Sequence, residues 1–93
     1  MFEIVVTKEF QERYFLLSPH LKKKAEKQEG FFRKNPFYPS LHTEKLEPKG
    51  KELWSFRVDK SYRILFRFLK NRTAVFLTVG PHDWIYEIAF KRF

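Results

Sequence analysis

Between Trp54 and Tyr86 the chain alternates apolar and polar residues in three successive runs, the period-two signature of strands with one face in a core. In Trp54-Ser55-Phe56-Arg57-Val58 the apolar set is Trp54, Phe56 and Val58. In the run from Tyr62 to Phe68 it is Tyr62, Ile64, Phe66 and Phe68, with Arg63, Leu65 and Arg67 opposite. A third run, Ala74 to Gly80, offers Val75, Leu77 and Val79 to the core and Phe76 and Thr78 to the other side, and a further step reaches His82. The pattern predicts Trp54 and Phe66 buried, a solvent-accessible Arg63, and convergence of Arg57, Arg63, Arg67 and His82 on one sheet face.

The stretch before these strands has a different period. Phe2 to Thr7 is a short β-rich run, after which Thr7 can cap a helix that buries Phe10, Tyr14 and Leu17. Ser18 with Pro19 is the signature of a second helix start, carrying Leu21, Ala25 and Phe32 inward until Asn35-Pro36 closes it. Lys22, Lys23, Lys24 and Lys27 then form a solvated face. From Asn35 to Lys51, three prolines, one glycine and little periodicity predict a long connection, pinned to the sheet edge by Leu41 and Leu46. The order predicts one α+β domain over 1–93: an N-terminal strand, a two-helix hairpin, a curved antiparallel β-sheet and a short C-terminal element.

Composition narrows the class. Ninety-three residues suffice for one core. A net charge of +8 favours a polyanionic partner, either nucleic acid or an acidic protein segment. The absence of cysteine excludes a disulfide scaffold and a thiolate metal site. No run approaches the ~20 apolar residues of a membrane span, and no signal peptide is legible, so the expected location is the cytoplasm, without membrane association. Twelve phenylalanines need no cofactor, since large rings let a small domain bury more area per residue.

The long connection places Glu44 among Lys45, Lys49 and Lys51, and the chain ends its strands at Gly80-Pro81-His82-Asp83, followed by Trp84 and Tyr86. Together with Leu-Trp-Ser-Phe-Arg-Val-Asp-Lys-Ser-Tyr-Arg-Ile-Leu-Phe over 53–66, these residues resemble the RelE/ParE superfamily of bacterial toxins from type II toxin–antitoxin modules. The resemblance covers essentially the whole chain and is strongest to the RelE and YoeB branches. It implies a small α+β toxin that cleaves messenger RNA, commonly in the ribosomal A site, and a cognate acidic or amphipathic antitoxin.

Position by position, the resemblance makes Arg63 the arginine that binds the scissile phosphate, Glu44 the general base, His82 the acid and Tyr86 the residue that stacks on or orients the nucleotide. Arg57 stands where RelE-like members keep one of two strand lysines, whereas the other position is Ser55, which is no cation. Lys45, Lys49, Lys51, Arg57 and Arg67 are the expected RNA or phosphate contacts, with Trp84 a second stacking ring. His20 and His42 have no partner that the sequence names. RNA cleavage by the ribose 2′-hydroxyl needs a base, an acid and cations around one phosphate, with neither metal nor cofactor. Two alternatives share the pattern: a ParE-like gyrase inhibitor, which needs no acid–base pair, and a catalytically degenerate RNA- or protein-binding module.

Overall fold

The computed structural model describes residues 1–46 and 50–93. Strand β1 (Glu3–Val6) leads into helix α1 (Lys8–Phe15) and helix α2 (Pro19–Lys34). Both helices start on the caps legible in the sequence: the Thr7 hydroxyl accepts from Phe10 N at 3.0 Å and the Ser18 hydroxyl from Leu21 N at 3.2 Å. The connection after α2 is not structureless. It contains one turn of 3₁₀ helix at Pro39–Leu41 and the two-residue strand β2 (Glu44–Lys45), too short for periodicity to reveal. Strands β3 (Trp54–Arg57), β4 (Tyr62–Leu69) and β5 (Thr73–Pro81) follow, and the C-terminal element is a full helix, α3 (His82–Lys91).

The five strands lie in the order β1-β5-β4-β3-β2. The meander from β2 to β5 is antiparallel, as expected, but β1 pairs with β5 in parallel, so the sheet is mixed. One face carries the main core, where Phe10 and Phe32 of the helices meet Phe56, Phe66 and Phe76 of the sheet. The Phe32 ring lies 5.0 Å from that of Phe66 and 5.2 Å from that of Phe76, both edge-on. Trp54, expected to be buried with Phe66, is only half-buried. Its ring packs edge-on against Phe37 and Phe68 at the sheet margin.

The expected alternation fails on β5. Phe66 pairs with Phe76 but Leu65 pairs with Thr78, so a bulge leaves Leu77 as the extra residue. A bulge inverts the parity of everything beyond it. Ala74 and Phe76 therefore join the main core with Val79, whereas Leu77 packs on the opposite side. That opposite face is not an open cationic surface either. Leu46, Leu53 and Leu65 form a second core with Ile85 and Ala89 of α3, leaving cations only toward the ends of the face. Among the described residues, no helix is long and apolar enough to cross a membrane.

Candidate functional site

Strand register brings the charged residues together. Glu44 of β2 pairs with Ser55 of β3, Arg57 two residues on pairs with Arg63 of β4, and Arg63 pairs with Gly80 of β5, two residues before His82. Residues two apart share a strand face, so this row runs across one end of the sheet. The outcome is a polar cavity of about 280 Å³ lined by His42, Thr43, Glu44, Arg57, Arg63, His82 and Tyr86.

Arg63 differs from expectation: it is only 6% exposed. The cause is the turn between β3 and β4. Asp59 Oδ1 accepts from both Ser61 N and Tyr62 N at 2.8 Å, an Asx-type turn that curls the backbone under the arginine. Arg63 Nη1 then donates to the carbonyls of Asp59, Lys60 and Tyr62 at 2.9, 3.1 and 3.2 Å. Among the described residues, no hydrogen bond engages its Nε or Nη2, and the side chain still lines the cavity. Burial, then the neighbouring Arg57 cation, pull its pKa below the ordinary guanidinium value, opposed by Glu44 and Asp59. It remains a cation at any working pH.

Helix α3 supplies the other wall. The His82 backbone N–H donates to Ser61 O at 2.8 Å, tying the helix start to the same turn that holds Arg63. His82 Nδ1 lies 2.9 Å from the fully exposed Asp83 carboxylate. One helical turn on, the Tyr86 ring sits 4.4 Å from the imidazole, and its hydroxyl donates to Glu44 Oε1. An acidic, an imidazole and two guanidinium groups thus face one small volume. Such a set can move protons on and off a bound phosphodiester while holding its charge.

Four of the expected contacts lie outside the cavity. Arg67 pairs with Val75 at the far end of β4, with its guanidinium 5.8 Å from the Phe93 ring centroid. Trp84 does not line the cavity. Its ring edge lies against Gly80, and the Arg13 guanidinium sits 3.9 Å from the ring centroid. Lys45 pairs with Glu52 at 3.2 Å, and Lys51 Nζ donates to Phe90 O at 3.1 Å. Lys49 falls outside the described residues. Ser55 is buried, so its position adds no charge to the site.

Sequence reasoning missed His42, Thr43 and Gln28. His42 adopts the left-handed conformation (φ 47°) between buried Leu41 and Thr43, whose hydroxyl donates to Pro36 O. That turn projects it to the cavity rim. Gln28, buried on α2, donates to Ser40 O at 3.0 Å and Arg57 O at 2.8 Å and so locks the connection to the sheet. A glutamine on an otherwise apolar helix stripe was the available signal.

Comparison with known proteins follows the same outline. A family model described as the RelE-like toxin of the type II toxin–antitoxin system HigB matches residues 33–82, more than half of the chain. No curated protein matches the sequence. Among solved structures, the fold is similar to that of the YoeB/ParE toxin from Agrobacterium tumefaciens (TM-score 0.74, 17% identity, 86% of this chain and 98% of that one covered). It is similar also to YafQ from Escherichia coli (TM-score 0.73, 12% identity, 92% and 99% covered). The archaeal RelE of the RelE–RelB complex from Pyrococcus horikoshii gives a TM-score of 0.72 at 17% identity, with 86% and 93% covered.

Proposed function

The chain belongs to the HigB-like family of RelE-like toxins of type II toxin–antitoxin systems, and we propose that it is a metal-independent endoribonuclease that cleaves messenger RNA on the ribosome. The observation that supports this reading is the single cavity shared by Glu44, Arg57, Arg63, His82 and Tyr86. A gyrase-binding or binding-only toxin has no use for a base and an acid on opposite sides of a cationic floor.

In this reading a phosphodiester enters with its non-bridging oxygens on Arg57 and on the unengaged N–H groups of Arg63. Glu44 takes the proton of the 2′-hydroxyl as the 2′-oxygen–phosphorus bond forms. The phosphorus–5′-oxygen bond breaks, and His82 gives its proton to the leaving 5′-oxygen. The products are a 2′,3′-cyclic phosphate and a 5′-hydroxyl. Before substrate arrives, the Tyr86 hydroxyl occupies Glu44, and the ribose 2′-hydroxyl replaces it as donor. Growing negative charge on the phosphate meets cations already in place, the arrangement that contributes most to catalysis of this type.

The antitoxin partner follows from the type II assignment, and the Pyrococcus horikoshii relative is itself a RelE–RelB complex. With +8 of net charge, the toxin favours an acidic or amphipathic antitoxin segment. The test of nuclease function is single-turnover cleavage of messenger RNA on programmed ribosomes by wild type, Glu44→Ala and His82→Ala. Cleavage by wild type with both variants slowed about 10²–10⁴-fold supports the reading. Equal rates for all three, or growth arrest without cleavage, overturns it in favour of gyrase inhibition or binding alone.

A further inference from the structure

Of the residues that line the polar cavity, His42 alone has a left-handed backbone. Among the described residues, the other non-glycine positions with positive φ are Glu52, Asn71 and Arg72. Asn71 and Arg72 make the turn between β4 and β5, and Glu52 pairs with Lys45. His42, at φ 47° and ψ 46°, sits where a Cβ costs energy that glycine is spared. The chain is held there from both sides, because Leu41 is fully buried and the Thr43 hydroxyl donates to Pro36 O. The imidazole gives the fold nothing in return. It is exposed, and among the described residues it has no hydrogen-bond partner. A strained position whose side chain makes no internal contact points to a contact outside the chain.

Neighbouring groups define the chemistry of that contact. Strand β2 runs antiparallel to β3, with Lys45 opposite Trp54 and Glu44 opposite Ser55. His42 stands two residues before Glu44 and Arg57 two residues after Ser55, so the chain brings both to the same end of this strand pair. Gln28 fixes that end by donating to Ser40 O and Arg57 O. The Arg57 guanidinium, like the imidazole, has no hydrogen-bond partner among the described residues. An imidazole keeps an N–H whether neutral or protonated, and a guanidinium is always charged. Two unengaged donors, one of them a fixed cation, suit an anion. The carboxylate that shares the cavity, Glu44, is already engaged by the Tyr86 hydroxyl.

Resting on the nuclease reading above, we infer that His42, with Arg57 beside it, forms a second phosphate subsite, and that it takes the phosphate on the 5′ side of the nucleotide that owns the attacking 2′-hydroxyl. The sheet order sets this polarity. Glu44 and His82 lie on opposite sides of the row formed by Arg57 and Arg63. The nucleotide deprotonated by Glu44 lies on the β2 side, and the leaving nucleotide lies on the α3 side. The backbone that enters the first nucleotide from its 5′ side extends away from His82, toward the end of β2 from which His42 projects.

The test uses a 2′-deoxy dinucleotide, which cannot be cleaved by 2′-hydroxyl attack, in three forms: without a terminal phosphate, with a 5′-phosphate, and with a 3′-phosphate. Calorimetric titration of the full chain should show the 5′-phosphorylated form bound roughly 10- to 100-fold more tightly than the unphosphorylated one, the scale of one hydrogen bond to a charged group. The 3′-phosphate should add much less. His42→Gly should abolish the gain from the 5′-phosphate while raising the urea midpoint, since glycine relieves the left-handed backbone. His42→Asn, which also tolerates that conformation and keeps an N–H, should retain part of the gain. Equal gains from the 5′- and 3′-phosphates would mean only general attraction to a chain of net charge +8 and would overturn the subsite. An undiminished gain in His42→Gly, or a lowered urea midpoint that makes the imidazole structural, would do the same. The nuclease reading stands or falls separately. A wild type that prefers the 5′-phosphate yet cuts no messenger RNA removes the nuclease and keeps the subsite, whereas normal cutting without that preference does the reverse.

Discussion

A Cβ placed on Gly80 would lie 2.5 Å from Cε3 and 2.8 Å from Cζ3 of Trp84, so β5 and α3 meet with no room for any side chain between them. The Arg13 guanidinium lies over the same indole, 3.9 Å from its centroid. The indole or α3 must shift if the glycine gains a methyl group. Gly80→Ala is expected to lower stability by about 1–3 kcal/mol, the usual range for overpacking. Displacing His82 and Tyr86 by a fraction of an ångström or more should also slow cleavage by up to about 10²-fold. Urea denaturation with single-turnover rates checks both. An unchanged midpoint and rate would show that the helix accommodates freely.

Arg63 holds the turn between β3 and β4 as well as lining the cavity. Arg63→Ala removes the guanidinium from the Asp59 and Lys60 carbonyls, while Tyr62 O keeps the Val58 N–H at 2.9 Å, and the variant is expected to lose about 1–3 kcal/mol of stability in addition to its cleavage. Arg63→Lys keeps the charge but not the forked geometry. It should recover part of the stability and little of the rate. Equal urea midpoints for wild type and Arg63→Ala would contradict the structural half of this role.

A base and an acid acting on one phosphodiester give a rate that falls at both ends of the pH range. Glu44→Ala should remove the acidic limb and His82→Ala the alkaline limb, each at a much reduced rate. Single-turnover cleavage measured against pH distinguishes this from simple misfolding, which would lower the whole curve without changing its shape.

Glu9 and Arg92 tie the first helix to the end of the last, with Nη1 to Oε1 at 2.6 Å and Nη2 to Oε2 at 3.1 Å. The bond from Arg92, opposed by partial burial, holds the Glu9 carboxyl below its ordinary pKa. A depressed carboxyl stabilises the fold above its unfolded-state value and loses that contribution as pH falls through the folded-state value. Acidification from neutral pH to below about 4 should therefore cost wild type more stability than Glu9→Gln. Both side chains are more than a third exposed, 35% and 45%, so solvent screening keeps the difference below about 1 kcal/mol. Parallel stability curves for the two proteins would rule the linkage out.

Local chemistry was legible in the sequence wherever it was sufficient to fix structure. Thr7 and Ser18 cap their helices because a hydroxyl before an apolar stripe can do little else, and Phe32 and Phe66 meet because period and spacing agree. Three features depend on partners distant in sequence and were hidden. The bulge opposite Leu65 exchanges the faces of Phe76 and Leu77, and nothing in the local alternation marks it. Helix α3 has no side-chain cap on Pro81, so its ten residues read only as a short tail. Arg63 alternates with apolar residues like any exposed strand cation, and only the folded turn shows that its guanidinium is enclosed. For the site, Glu44, Arg57, Arg63, His82 and Tyr86 converge in space, while Arg67 and Trp84 share their strand or helix without sharing the cavity.

The parallel pairing of β1 with β5 has a consequence for synthesis. Glu3 pairs with Thr73, and the Thr7 hydroxyl bonds to the Leu77 carbonyl across 70 residues of chain. Contacts so distant in sequence form late and slowly. On a translating ribosome the first strand has no neighbour until β5 emerges, and the two aromatic-rich helices have only part of their sheet to cover. Glu44 and Arg63 are made well before His82 and Tyr86, so the cavity stays unassembled for most of the time the chain is being built. The cavity is complete only once the last helix has been released.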